Sequence, residues 1–213
     1  MYAEFSDTVD LETNAAIQAL AGALRARGLP WIRDVIPALC GIAVHFDADH
    51  PDVPESFQAL LEESFKDAKK FDRAGRLVEL PVCYDPEFGI DLVEVASRTG
   101  VSPEEIAAMH SKTEHRVLMV GFSPGQPYIG GLDPKLALPR RATPRTRVPA
   151  GSVAIANDQT AVYSYETPGG WHVIGRTPLV LFDPERNPPS LFAPGDRVRF
   201  VPVARAEFDR LKP

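Results

Sequence analysis

Up to about residue 115 the apolar positions change rhythm repeatedly, and each change predicts an element. "YAEF" near the start reads as an edge strand. Between Leu11 and Arg27, apolar residues at Ile17, Leu20, Ala21 and Leu24 follow the i, i+3, i+4, i+7 spacing of an amphipathic helix, which Gly28 and Pro30 stop. "WIRDVIPALCGIAVHFD" then offers two short β-rich runs broken near Pro37. Phe57, Leu60, Leu61, Phe65, Ala68 and Phe71 mark a second helical face, and "RLVELPVCY" reads as a strand. The order β-α-β-β-α-β is that of a ferredoxin-like module, an antiparallel sheet with two helices on one face. Two short helices follow. The second opens on "SPEE", with Ser102 as N-cap, Pro103 at the first helical position and Glu105 closing a capping box, and it ends near Met109 and His110. "RVLMVGF" is then a strand.

From Gly121 onward no helical period is visible. Short β-type runs ("SVAIA", "TAVYSY", "WHVIG", "PLVLF", "RVRFVPV") are separated by Pro-Gly, Gly-Gly and Asn-Pro-Pro, which predicts a sandwich or barrel. The expected organisation is α+β: a ferredoxin-like α/β sandwich over residues 1–90, a helical connection over 91–116, and a β-barrel over 117–213.

Charge divides the chain at the same place. The net charge of −6 combines −10 over residues 1–120 with +4 over 121–213, so the second part is the better attractor of anions. The acidic whole argues against nucleic acid as a partner. No apolar run is long enough to cross a bilayer, and no basic stretch followed by an apolar run opens the chain, so the expected location is the cytoplasm. Cys40 and Cys83 lie in apolar runs outside any C-x-x-C pair and read as small hydrophobes.

No phosphate loop, G-x-G-x-x-G, H-E-x-x-H or G-x-S-x-G is present, and the His45/His50 and His110/His115 spacings suit no zinc motif. The chemistry therefore concentrates between Gly121 and Thr177. "GFSPGQPYIGGL" is glycine- and proline-rich enough to hold a shaped loop against a ligand, or only to turn a corner over Phe122 and Tyr128. "PRRATPRTRVPAGS" gathers Arg140, Arg141, Arg145 and Arg147 in a segment that its prolines keep extended. Guanidinium suits bidentate contact with carboxylate or phosphate, and the following Gly151 and Ser152 could add a backbone amide and a hydroxyl. A solvated edge strand, whose arginines discourage aggregation or pair with the acidic first half, explains the same residues equally well. In "TPGGWHVIGRTPL", Trp171 reads as barrel core and His172 as a surface or satisfied histidine. His110, at a helix end beside the change of character, is the candidate acid or base.

The string "GFSPGQPYIGGLDPKLALPRRATPRTRVPAGSVAIANDQTAVYSYETPGGWHVIGRTPLVLFDP", followed by "LFAPGDRVRFVPV", closely resembles the family of the 5-oxoprolinase B subunit, also labelled allophanate hydrolase subunit 1, histidine-kinase inhibitor, or carboxyltransferase subdomain C and D. "IRDVIPALCGIAVHFD" and "PVCYDPEFGIDLVEVA" carry the likeness upstream. Two positions depart from the family pattern: Gln126 stands where an aromatic usually follows Pro-Gly, and His115 where a tyrosine is common.

The resemblance implies a cyclophilin-like form for the barrel, a companion C subunit of similar type, and a third, A subunit. Together such chains open the lactam of 5-oxo-L-proline to L-glutamate at the expense of ATP. Alternatives within the family are a urea amidolyase-type carboxyltransferase, which needs a biotin carrier supplied elsewhere because this chain has no Met-Lys-Met motif, and an inhibitor that binds a sensor histidine kinase. On the lactamase reading, Arg145 with Arg140 or Arg147 is the expected anion clamp. Gly151 and Ser152 orient the ligand and Tyr128 walls it. Gly125, Gln126, Trp171, Arg176 and Thr177 complete the expected small-molecule site, no metal is expected, and ATP is a cofactor of the complex.

Overall fold

The computed structural model describes residues 1–68 and 75–212, the side chains of residues 65–67 excepted. The chain divides into two compact units, Met1–Gly75 and Arg76–Pro213. No helix among the described residues is long and apolar enough to cross a membrane.

The first unit contains β1 (Tyr2–Glu4), α1 (Leu11–Ala26), β2 (Ile32–Pro37), β3 (Gly41–Phe46) and α2 (Phe57–Ala68). Asp10 caps α1, its carboxylate accepting from the Thr13 amide at 2.7 Å. The Ile17, Leu20, Ala21, Leu24 stripe is buried against Val35, Ile42, Val44, Leu60 and Leu61, as the spacing required. Phe65 and Phe71, expected on the buried face of the second helix, lie outside the described residues. The sheet runs β1-β3-β2, antiparallel throughout.

The strand expected as the fourth of this module goes elsewhere. β4 (Leu77–Val82) lies parallel to β12 (Arg197–Pro202), with Leu77 opposite Arg197 and Val82 opposite Pro202. Its alternate residues Leu80 and Val82 are fully buried in the core of the second unit, which explains the choice of partner. The boundary between units therefore falls at Gly75, ahead of the strand rather than after it.

The second unit is a nearly closed, barrel-like sheet. With β5 (His115–Val120), β6 (Pro127–Gly130), β8 (Ser152–Ala156), β9 (Gln159–Val162) and β11 (His172–Arg176), its order is β11-β8-β9-β6-β5-β12-β4. Cys83, continuing β4, exchanges two backbone hydrogen bonds of 2.9 Å with Arg176 at the end of β11, so the two ends of the sheet meet. Period two sorts the side chains: Val153, Ile155, Val162 and Ile174 fill the main core, while Ala154, Ala156, Ala161 and Val173 face a second cluster with Tyr163 and Trp171. This double burial is why "SVAIA" is apolar without interruption. The ribbon of β7 (Arg145–Val148) and β10 (Thr167–Gly169) adds Val148 to the second cluster. "PLVLF" forms no strand, contributing only an isolated bridge from Phe182 to Ser190, and the unforeseen α5 (Arg205–Leu211) buries Phe208 against Phe88 and Cys83. Both cysteines are free thiols.

The segment expected to be a separate connection instead belongs to this unit. α3 (Leu92–Thr99) and α4 (Pro103–Lys112) supply Leu92, Val95 and Ile106 to the barrel core, and the Ser102–Glu105 capping box is formed. α4 also carries His110 into the core, its ring centroid 4.1 Å from that of Phe200. Burial raises the Tyr84 phenol, which keeps its proton and lies 2.7 Å from His110 Nδ1. His110 Nε2 lies 3.1 Å from Thr160 Oγ1. His115 Nε2 donates to the His110 carbonyl at 2.8 Å, leaving its buried Nδ1 without a partner.

Burial lowers both imidazoles, His110 well below its ordinary value of 6.5. The fold thus holds neutral rings that the unfolded chain protonates near pH 6.5. Their stabilisation is complete above about that pH and is lost as pH falls below it. The urea midpoint is expected to drop between about pH 7.5 and about pH 5, and less so in His110→Gln; identical shifts in the two proteins would contradict this.

Candidate functional site

The arginine-rich segment is held by a carboxylate of its own chain. Asp91, at the N-cap of α3, is 2% exposed and makes no cap hydrogen bond with its side chain. Instead it accepts from Arg145 Nη1 at 2.7 Å and Nη2 at 2.5 Å, Arg141 Nη1 at 2.9 Å and the Val173 amide at 2.8 Å. Arg141 also reaches Glu94 at 2.6 Å, and that hydrogen bond holds the Glu94 carboxyl below its ordinary value against the opposing effect of burial. Arg147 pairs with Glu166 in water. Arg145 and Arg147 therefore have carboxylate partners within the chain, and Arg145, with Arg141, fastens the β7 segment through Asp91 to α3 and β11. Nothing distinguished Asp91 in the sequence from an ordinary helix cap; only the fold brings positions 91, 141, 145 and 173 together.

Arg140 is exposed, its guanidinium carbon 5.7 Å from the Trp171 ring centroid, and Tyr128 meets the same indole edge-on at 5.8 Å. Burial raises the Tyr128 phenol, with Arg140's charge and Gln126 opposing. Trp171 is buried, as expected of a core residue, and His172 is fully buried, its Nε2 donating to the Pro139 carbonyl at 3.0 Å. His110 is enclosed in the core, 1% exposed, with both ring nitrogens in hydrogen-bond contact with Tyr84 and Thr160.

Three of the remaining expected residues, Gly151, Arg176 and Thr177, gather at the barrel's closure. A cavity of about 270 Å³ is lined by Gly151, Ser164, Arg176, Thr177, Phe208 and Lys212, among others. Gly151 sits at φ +80° and exchanges backbone hydrogen bonds with Tyr163 and Thr177. A β-carbon there would lie 2.5 Å from the Thr177 carbonyl oxygen, so only glycine permits this approach. Arg176 Nε donates to the Ala150 carbonyl at 2.8 Å, and among the described residues its terminal nitrogens have no acceptor. Thr177 Oγ1 accepts from the Leu179 amide at 3.3 Å, leaving its hydrogen free. Ser152, next to Gly151, is buried in β8 and does not line the cavity.

Behind Ser164 stands a half-buried polar chain: Ser123 Oγ donates to Gln126 Oε1 at 3.1 Å and lies 2.8 Å from Ser164 Oγ. Gly125, at φ +73°, turns this loop so tightly that a β-carbon would meet that of Phe182 at 2.7 Å. Sequence reasoning missed Ser123, Ser164 and Lys212, which carry no motif. A larger cavity of about 440 Å³, lined by Val101, Glu105, Met109, Lys112 and Lys135 among others, holds none of the expected site residues. No group of three or more acidic, histidine or cysteine side chains among the described residues is arranged to hold a metal.

Comparison with known proteins gives a consistent result. The family described as "Carboxyltransferase domain, subdomain C and D" matches residues 1–192. The chain is 38% identical over 222 residues to the B subunit of Bacillus subtilis 5-oxoprolinase, covering 100% of this chain and 92% of that protein. It is 42% identical to the 5-oxoprolinase B subunit of Escherichia coli O157:H7, covering 93% and 90%. Among solved structures, TTHA0988 superposes with a TM-score of 0.82 at 40% identity over 96% of this chain, which spans 40% of that one's length. The Kluyveromyces lactis urea amidolyase shares the fold, with a TM-score of 0.73 at 21% identity over 99% of this chain and 14% of that one.

Proposed function

Since the chain belongs to the carboxyltransferase subdomain C and D family, we propose that it is the B subunit of an ATP-dependent 5-oxoprolinase, opening 5-oxo-L-proline to L-glutamate together with the A and C chains of the same complex. The observation that carries this reading is the likeness to two 5-oxoprolinase B subunits over nine-tenths or more of both partners' lengths. The urea amidolyase likeness, at 21% identity, speaks for the fold only. In this reading the first unit is the ferredoxin-like half, its fourth strand ceded to a cyclophilin-like barrel, and the complex works in the cytoplasm, where ATP is at hand.

The chemistry fits what the barrel offers. An amide carbonyl is a poor electrophile; transfer of the γ-phosphoryl of ATP to the lactam oxygen makes it a leaving group, giving ADP and a phosphorylated imidate. Water adds to that carbon and the C–N bond breaks, freeing the amine and leaving an acyl phosphate, from which a second water releases phosphate to give the carboxylate of L-glutamate. Such a path needs a substrate held by its carboxylate in a fixed pose, which is the task of Arg176, Thr177 and the Gly151 turn. No activated nucleophile lines the cavity, so phosphoryl transfer falls to groups contributed by the companion chains.

Reconstitution with those companions tests the proposal. ATP, 5-oxoproline and all three chains are expected to yield glutamate and ADP together, with glutamate lost when this chain is omitted. Carboxylation of urea in place of lactam opening would overturn it.

A further inference from the structure

We propose that the cavity at the barrel's closure reads two features of one small ligand, a carboxylate and an adjacent N–H, and that Gln126 sets the second preference. The inference rests on the oxoprolinase reading for its probes but is tested by binding rather than turnover.

The carboxylate half follows from uncommitted donors. A guanidinium has five N–H groups. Arg176 spends the one on Nε on the Ala150 carbonyl, which fixes the side chain, and its terminal nitrogens meet no acceptor among the described residues. Arg141, Arg145 and Arg147, by contrast, are each paired with a carboxylate of the chain itself. Arg176 is half-buried, where a charged hydrogen bond is stronger than in water. Thr177 adds a free hydroxyl hydrogen, and Lys212, paired with Asp209, adds positive charge at the same cavity.

The N–H half follows from counting hydroxyl protons. Ser123 has one hydrogen and gives it to Gln126 Oε1. The 2.8 Å contact between Ser123 and Ser164 then needs the hydrogen of Ser164. Ser164 is left with no proton to donate and with lone pairs to offer the cavity that it lines. It is an acceptor by construction, and the residue that makes it so is the buried amide of Gln126. An aromatic there would accept no such hydrogen bond, and Ser123 could donate to Ser164 instead, freeing the Ser164 proton.

Calorimetric titration of the assembled complex without ATP separates these parts. The probes are 5-oxo-L-proline, the corresponding lactone acid with ring oxygen replacing N–H, and 2-pyrrolidinone, which lacks the carboxylate. The wild-type complex is expected to bind the lactam acid about tenfold more tightly than the lactone acid, and pyrrolidinone far more weakly than either. Ser164→Ala should bind both acids alike, and Gln126→Leu should narrow the gap while leaving the melting temperature within a few degrees. Arg176→Gln should weaken both acids by about a hundredfold. A lactam–lactone gap unchanged in Ser164→Ala, undiminished affinity in Arg176→Gln, or no binding of any probe by the wild type would each overturn the proposal. Turnover read in parallel keeps the two hypotheses apart: glutamate production without this binding pattern sinks the cavity assignment alone, and the pattern without glutamate production sinks the activity alone.

Discussion

Asp91→Ala is expected to lower the melting temperature by roughly 10 °C, from a loss of about 3–5 kcal/mol. The carboxylate answers three arginine N–H groups and one backbone amide from a position only 2% exposed. Removing it leaves the Arg145 guanidinium, about a quarter exposed, without its carboxylate and Arg141 with Glu94 alone, and leaves the Val173 amide unpaired. Arg147→Ala is the control. Its pair with Glu166 stands in water, where such contacts contribute little, and the melting temperature should move by no more than about a degree or two. Equal effects of the two substitutions in differential scanning calorimetry would refute the assignment of Asp91 as the fastening point.

Gly151→Ala is expected to abolish detectable binding at the cavity and to cost about 2–4 kcal/mol of stability. Two penalties combine there: a φ of +80°, which disfavours any β-carbon, and a methyl placed 2.5 Å from the Thr177 carbonyl oxygen. The backbone must separate to admit it, and Arg176 and Thr177 move with the displaced strand. Gly195→Ala isolates the first penalty, because φ is +87° there but no atom lies within 4 Å. It should lose about 1 kcal/mol and leave binding intact. Wild-type affinity in Gly151→Ala would remove the turn from the site.

The local signals in the sequence were faithful where one element decides its own form. The Ile17–Leu24 stripe and the Ser102–Glu105 box each lie within a single helix, and both are present. Partner choice was not legible. "RLVELPVCY" announces a strand but not that it will join the barrel, because its period fixes which side chains are buried and not which strand lies beside it. The arginines are visible as a cluster; Arg141 and Arg145 pair with Asp91 of the acidic first half, while Arg147 takes Glu166 from the second. The cluster was conspicuous because it was contiguous. Arg176 and Ser164 are twelve positions apart, and Ser164's role depends on protons held two residues away in a hydrogen-bond chain, which no spacing rule encodes.

The sheet's two ends are stitched together by a single pair of backbone hydrogen bonds, between Cys83 and Arg176. A cylinder fastened so lightly at one seam has its weakest circumference there, and the same residue that fastens it also presents the open guanidinium. A guest gripping that side chain bears on the stave that carries it, so occupancy and closure become one equilibrium. Amide exchange is therefore expected to be fastest along this seam and to slow there when a ligand binds.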